Sequence, residues 1–237
     1  MKGRHLFLLV LIFSVSLPSI SQKIIYSEKD NDDTRNLNFE IVGKVGGNFL
    51  IYKNIRNRNW IAVLDNDMQQ IAKVEQDYVP DKDRMINVDF FPYSDFAWMV
   101  YQYQRKNIIY CMATKIDGNG NRVGELMELD TTHIGFANNN KIYSVLGSED
   151  KNRIIVFKIN SRNRNLFWMT TVLMNEKLEL IRKSRISIPM EERNDYLGDF
   201  HLDNEGDLVF SKFMRAGNDN ISNAAFVVKH AQSDSLV

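Results

Sequence analysis

The chain has 237 residues, 44% of them hydrophobic and 25% charged, and its 30 basic and 30 acidic side chains cancel. That length carries one large domain or two small ones with a core of their own. The even charge excludes the long-range field with which a protein gathers nucleic acid or an anionic membrane surface, and four prolines are too few for a disordered linker.

Residues 1–21 read as a signal peptide. Lys2, Arg4 and His5 precede the apolar run LFLLVLIFSV, and the small residues Ser19 and Ser21 set cleavage before Gln22. The run is shorter than a helix needs to span a bilayer. The expectation is an exported protein, secreted or periplasmic, with no stable membrane insertion once the leader is gone. The next stretch, QKIIYSEK at 22–29, reads as a strand and is followed by the solvated DNDDTRN.

From there onward short runs rich in Val, Ile, Tyr, Phe and Trp dominate. They are NFLIYKNI, NWIAVLD, FAWMVYQYQ, NIIYCMATKI, KIYSVLG, RIIVFKI, NLFWMTTVLM, DLVFSKF and AAFVVKH. Such runs are β-strands. Polar clusters such as DNDM, DGNGN, SEDKN and DNEG separate them as turns. The single cysteine, Cys111, has no partner for an internal disulfide and sits in one of the strands, where it reads as a small buried hydrophobe.

One polar phrase occurs twice before an aromatic run: RNRNW at 56–60 and RNRNLFW at 162–168. Asn59 and Asn165 hold the same place in the two phrases. Asn107 in RKNIIY and Asn223 in ISNAAFVV hold a comparable place, giving steps of 48, 58 and 58 residues. Each is preceded by an apolar strand and followed by another, and in the first three copies a more polar strand comes next. A repeat of three or four strands in about 50 residues is the period of propeller blades. The chain therefore resembles a β-propeller in architecture and period. No WD dipeptide or kelch double glycine points to a named subfamily. The resemblance implies an all-β, propeller-like array of about four antiparallel blades, near 37–77, 84–130, 139–189 and 196–237. The ring is incomplete unless 22–29 supplies a closing strand. A β-sandwich or an irregular meander is the alternative.

Candidate sites are few. Asp117, Asn119, Asn121 and Glu128 fall at positions 1, 3, 5 and 12 of DGNGNRVGELME, where a calcium loop places oxygen ligands. The sixth position is Arg122 and not glycine, and the flanks read as strands, so a hairpin turn explains the same residues. No other cofactor is indicated. Arg56, Arg58, Arg162 and Arg164 in the repeated phrases, beside Trp60, Phe167 and Trp168, are the candidate contact for a sugar or a polyanion. Against this, alternation places Trp60 and Trp168 in the strand packing and leaves the arginines as solvated hairpin tips. No catalytic constellation is legible: His133, His201 and His230 form no close pair, and there is no nucleophile elbow or phosphate-cradling loop. The expected role is binding of a protein or glycan ligand or scaffolding, without nucleic acid; a propeller hydrolase acting on glycans is the alternative.

Overall fold

The structure, a computed structural model, describes residues 24–27, 37–80, 84–135, 141–163, 165–190, 195–215 and 220–237. The proposed leader at 1–21 and Arg164 lie outside the described residues. Among those described, every regular element is a strand.

The strands form four sheets, each built from neighbours in sequence. Sheet 1 holds β1 (Leu37–Val45), β2 (Asn48–Ile55), β3 (Arg58–Leu64) and β4 (Gln70–Glu75). Sheet 2 holds β5 (Arg84–Pro92), β6 (Phe96–Arg105), β7 (Ile108–Asp117) and β8 (Arg122–His133). Sheet 3 holds β9 (Tyr143–Gly147), β10 (Arg153–Asn163), β11 (Leu166–Asn175) and β12 (Leu180–Pro189). Sheet 4 holds β13 (Tyr196–Leu202), β14 (Leu208–Arg215) and β15 (Ile221–Lys229). All pairings are antiparallel and no connection crosses over, so each sheet is a four- or three-stranded meander.

Three apolar layers alternate with the four sheets. Sheets 1 and 2 share Leu50, Ile61 and Val63 against Met99, Tyr101 and Ile116. Sheets 2 and 3 share Val100, Cys111 and Ala113 against Ile154, Val156 and Val172. Sheets 3 and 4 share Ile155, Phe157 and Met169 against Leu208 and Phe210. The middle sheets are thus apolar on both faces, which is why FAWMVYQYQ and NLFWMTTVLM lack alternation. A sandwich would place two sheets around one core. Sheets and cores alternating in chain order are a propeller-like array, and it is open: among the described residues no apolar core joins sheet 4 to sheet 1.

The repeated phrase marks one turn. Arg56 and Asn57 join β2 to β3 with φ of 51° and 67°, the left-handed pair of a type I′ hairpin. Lys106 (φ 54°) and Asn107 join β6 to β7 in a two-residue turn in which only the first has positive φ, and the second phrase joins β10 to β11. The three aligned asparagines do one job. The carbonyls of Asn59, Asn107 and Asn165 accept the N–H of Gln76, Ile134 and Met190, each the residue just past the fourth strand of its sheet.

The opposite hairpins share a second device. Asp65, Asp117, Asn175 and Asp203 each turn a side-chain oxygen onto the N–H four residues on, at 2.7–2.9 Å. The residue three places on has positive φ each time: Met68, Gly120, Leu178 and Gly206. These turns also tie neighbouring sheets together. The Gly46 N–H donates to the Ser94 carbonyl, the Asn48 amide to Gly118, the Trp98 indole to Glu176 and the Asp150 N–H to Asn204.

Two expectations change. Trp60 is not core. It pairs with Lys53 on the face of sheet 1 turned away from sheet 2, half-buried, with the Lys73 ammonium 5.3 Å from its ring. Trp168 is also half-buried, under the Arg185 guanidinium at 4.8 Å. Of the stretch at 22–29 only Ile24–Ser27 are described, and these four belong to no strand. The edge of β15 instead carries Leu236, bridged to Lys229, and Val237, which exchanges both backbone bonds with Val228.

Candidate functional site

The first strands of sheets 1 and 2 carry polar residues. The phrase Asn38-Phe39-Glu40 opens β1, and Asn87-Val88-Asp89 lies in β5. These two strands run side by side, and between them lies a cleft of about 310 Å³. Asn38, Glu40, Asn54, Asn57, Asn87 and Tyr52 line it.

Most of these groups are held in place. Asn59, buried behind the cleft, accepts hydrogen bonds through Oδ1 from the Tyr52 hydroxyl at 2.5 Å and the Asn54 amide at 2.8 Å. On the other wall the Asn87 amide donates to Asp89 Oδ2 at 2.8 Å, and the Lys141 ammonium spans both Asp89 oxygens at 2.9 and 3.1 Å. Burial raises the Glu40 carboxyl above its ordinary range, and the nearby Asp89 charge adds to this against the pull of Lys141. Burial likewise pushes the Tyr52 phenol up to about 12. The cleft therefore offers amide donors and acceptors on fixed strands and one carboxyl, that of Glu40, while Asp89 on β5 is held by two donors beside Asn87.

A second polar cluster sits between sheets 2 and 3. Asp130 on β8 accepts from Lys158 at 2.5 Å, Lys183 at 2.8 Å and the Tyr143 hydroxyl at 3.0 Å. Thr132 joins it through Tyr143 and Lys158 at 2.6 and 2.7 Å. Every group there has a partner within the chain, so the cluster clamps two blades together.

The residues singled out in the sequence are dispersed. Arg56 and Arg58 are exposed at the first hairpin, and Arg58 faces Glu75 at 3.6 Å. The backbone of Arg162 lies near the end of β10. The repeated phrase reaches the cleft through Asn57, not through an arginine. Asp117, Asn119 and Asn121 share one tight turn, in which Asp117 Oδ1 already accepts the N–H groups of Asn119 and Asn121. Glu128 lies opposite Met112, five residues along β7 from Asp117, so about 17 Å of strand separates it from that turn. The structure does not gather the four. No group of three or more acidic, histidine or cysteine side chains suited to a metal occurs among the described residues.

Sequence reading missed Asn38, Glu40, Asn87 and Asp89. The signal was there: Asn-x-Glu and Asn-x-Asp recur in the first strands of two successive repeats, at 38–40 and 87–89.

No family model matches the chain, and no curated protein is similar to it in sequence. Among solved structures, dihydro-heme d1 dehydrogenase NirN in complex with DHE aligns with 80% of this chain and 43% of its own length, at 11% identity and a TM-score of 0.31. This chain thus spans less than half of that protein.

Proposed function

We propose that this is an exported binding protein of propeller type whose ligand is a polyhydroxylated molecule, a glycan segment, held in the cleft between β1 and β5. The carrying observation is the wall of asparagine side chains on fixed strands beside Tyr52 and Glu40. Paired amide donors and acceptors match vicinal hydroxyls, and the blade walls orient them before the ligand arrives. Export is supported by the basic start and apolar run of residues 1–21. The test is retention on an oligosaccharide array. Wild type is expected to bind a subset of glycans, and Asn38→Ala with Asn87→Ala to lose them at unchanged Tm. No retention, or equal retention by both proteins, overturns the reading.

A second reading, glycan hydrolysis, has one observation in its favour. Glu40 and Asp89 come from separate blades, interact electrostatically, and differ in environment as an acid and its partner carboxylate do. Reducing-end release by wild type and its loss in Glu40→Gln would support it. Binding without release leaves the cleft a recognition site.

A further inference from the structure

The two ends of the array are unlike its interior. Each inner junction buries the apolar face of one sheet on that of the next. Among the described residues, sheets 1 and 4 each have one face with no sheet against it. On sheet 1 that face holds Phe39, 66% exposed, and Ile41, 71% exposed, paired across to Lys53 and Ile51. On sheet 4 it holds Phe226, 82% exposed, paired with Ser211 beside Val209 and Phe213. A cleft of about 270 Å³ opens there, edged by Asp199 and His201. Exposed aromatic and aliphatic side chains grouped on a flat sheet face mark a contact surface.

We infer that a second copy of this chain docks head to tail, the free face of sheet 4 on one copy against the free face of sheet 1 on the other, so that two copies close one ring of eight sheets. Two observations select this occupant. The chain makes the same sheet-on-sheet contact three times within itself, and its ends carry the leading and the trailing half of a fourth. A second copy supplies both halves at once, through two identical heterologous contacts that close by symmetry. Phe39 also lines the β1–β5 cleft, so the contact borders the ligand site, whereas Ile41 and Phe226 lie outside that lining.

The experiment is light-scattering mass during gel filtration of the mature chain, run with Ile41→Glu and Phe226→Glu. Both positions are exposed, so far-UV spectra and Tm are expected to match wild type. Wild type should run at twice the monomer mass and each variant alone as monomer. An equimolar mixture of the two variants should recover dimer, since one face pair per couple is then intact. A monomeric wild type overturns the inference and leaves these faces to another segment of the chain or another partner. A dimer broken by one variant only would show a like-with-like contact, and open polymers would show a contact that does not close; either also overturns it.

Discussion

The side chain of Gln102 pairs with the backbone of Tyr143 as if it were a strand. Its amide donates to the Tyr143 carbonyl at 2.7 Å, and its carbonyl accepts the Tyr143 N–H at 2.9 Å. Both residues are buried, and they belong to sheets 2 and 3. Gln76 makes a related link, donating from its amide to the Gly120 carbonyl at 2.9 Å. Blades of a propeller have no backbone ladder between them, so glutamine side chains supply the missing rungs.

Gln102→Leu should therefore cost more than its volume change implies. It leaves the N–H and carbonyl of Tyr143 buried without partners, a loss of about 2–4 kcal/mol in chemical denaturation. A cost below about 1 kcal/mol would show that water replaces the amide.

Stability should fall in acid through Asp130. Burial by itself would raise that carboxyl, but hydrogen bonds from Lys158, Lys183 and Tyr143 outweigh burial and hold it below the usual carboxylate range. A group depressed in the folded state contributes stability above its unfolded pKa and loses it as pH drops through the folded value. The loss should thus develop below about pH 4. Asp130→Asn should cost about 3 kcal/mol at pH 7, because the neighbouring ammoniums lose their anion. It should also flatten this part of the acid limb, as read by denaturant midpoints against pH.

The fold was legible because strand residues and turn residues differ in kind. Asx turns are local chemistry, and the same side-chain cap recurs at Asp65, Asp117, Asn175 and Asp203. Trp60 was misread because alternation tells which side chains share a face but not whether that face has a neighbour. Among the described residues, no sheet packs on the second face of sheet 1. The cleft was missed for a related reason: Asn38 and Asn87 stand 49 residues apart, and only the stacking of blades brings β1 beside β5. In physical terms, local turn energies are written locally, whereas a site between blades depends on which sheets stack.

Trp60→Ala should accordingly cost about 1–2 kcal/mol, less than the roughly 3–5 kcal/mol expected of Phe210→Ala in the third core. Arg56→Ser should stay within about 0.5 kcal/mol, as for an exposed hairpin residue. Equal losses at Trp60 and Phe210 in urea unfolding would put Trp60 back among the buried side chains.

Cys111 should resist modification. It is fully buried between sheets 2 and 3, and burial, with the charges of Asp130 and Asp89 adding to it, pushes its thiol up. The thiolate is the reactive species, so native alkylation should be slow and should accelerate on unfolding. Labelling at the same rate in native and denatured protein would contradict this.

Asp117 decides between the two readings of DGNGN. As a turn cap, its Oδ1 holds the N–H groups of Asn119 and Asn121 at 2.9 and 2.8 Å, just as Asp65 holds those of Asp67 and Gln69. Loss of such a cap frees two donors at a hairpin end, so Asp117→Ala should lower stability by about 1–2 kcal/mol, by analogy with helix caps. The loss should be the same in calcium and in chelator, because the carboxylate works on the backbone. Glu128, opposite Met112 on the exposed outer strand, should tolerate alanine within about 0.5 kcal/mol under both conditions. Calcium ligation predicts the reverse pattern: a calcium-dependent Tm in wild type, lost equally in Asp117→Ala and Glu128→Ala. Thermal melts of the three proteins in calcium and in chelator separate the two, since only a ligand set makes the distant glutamate matter as much as the aspartate.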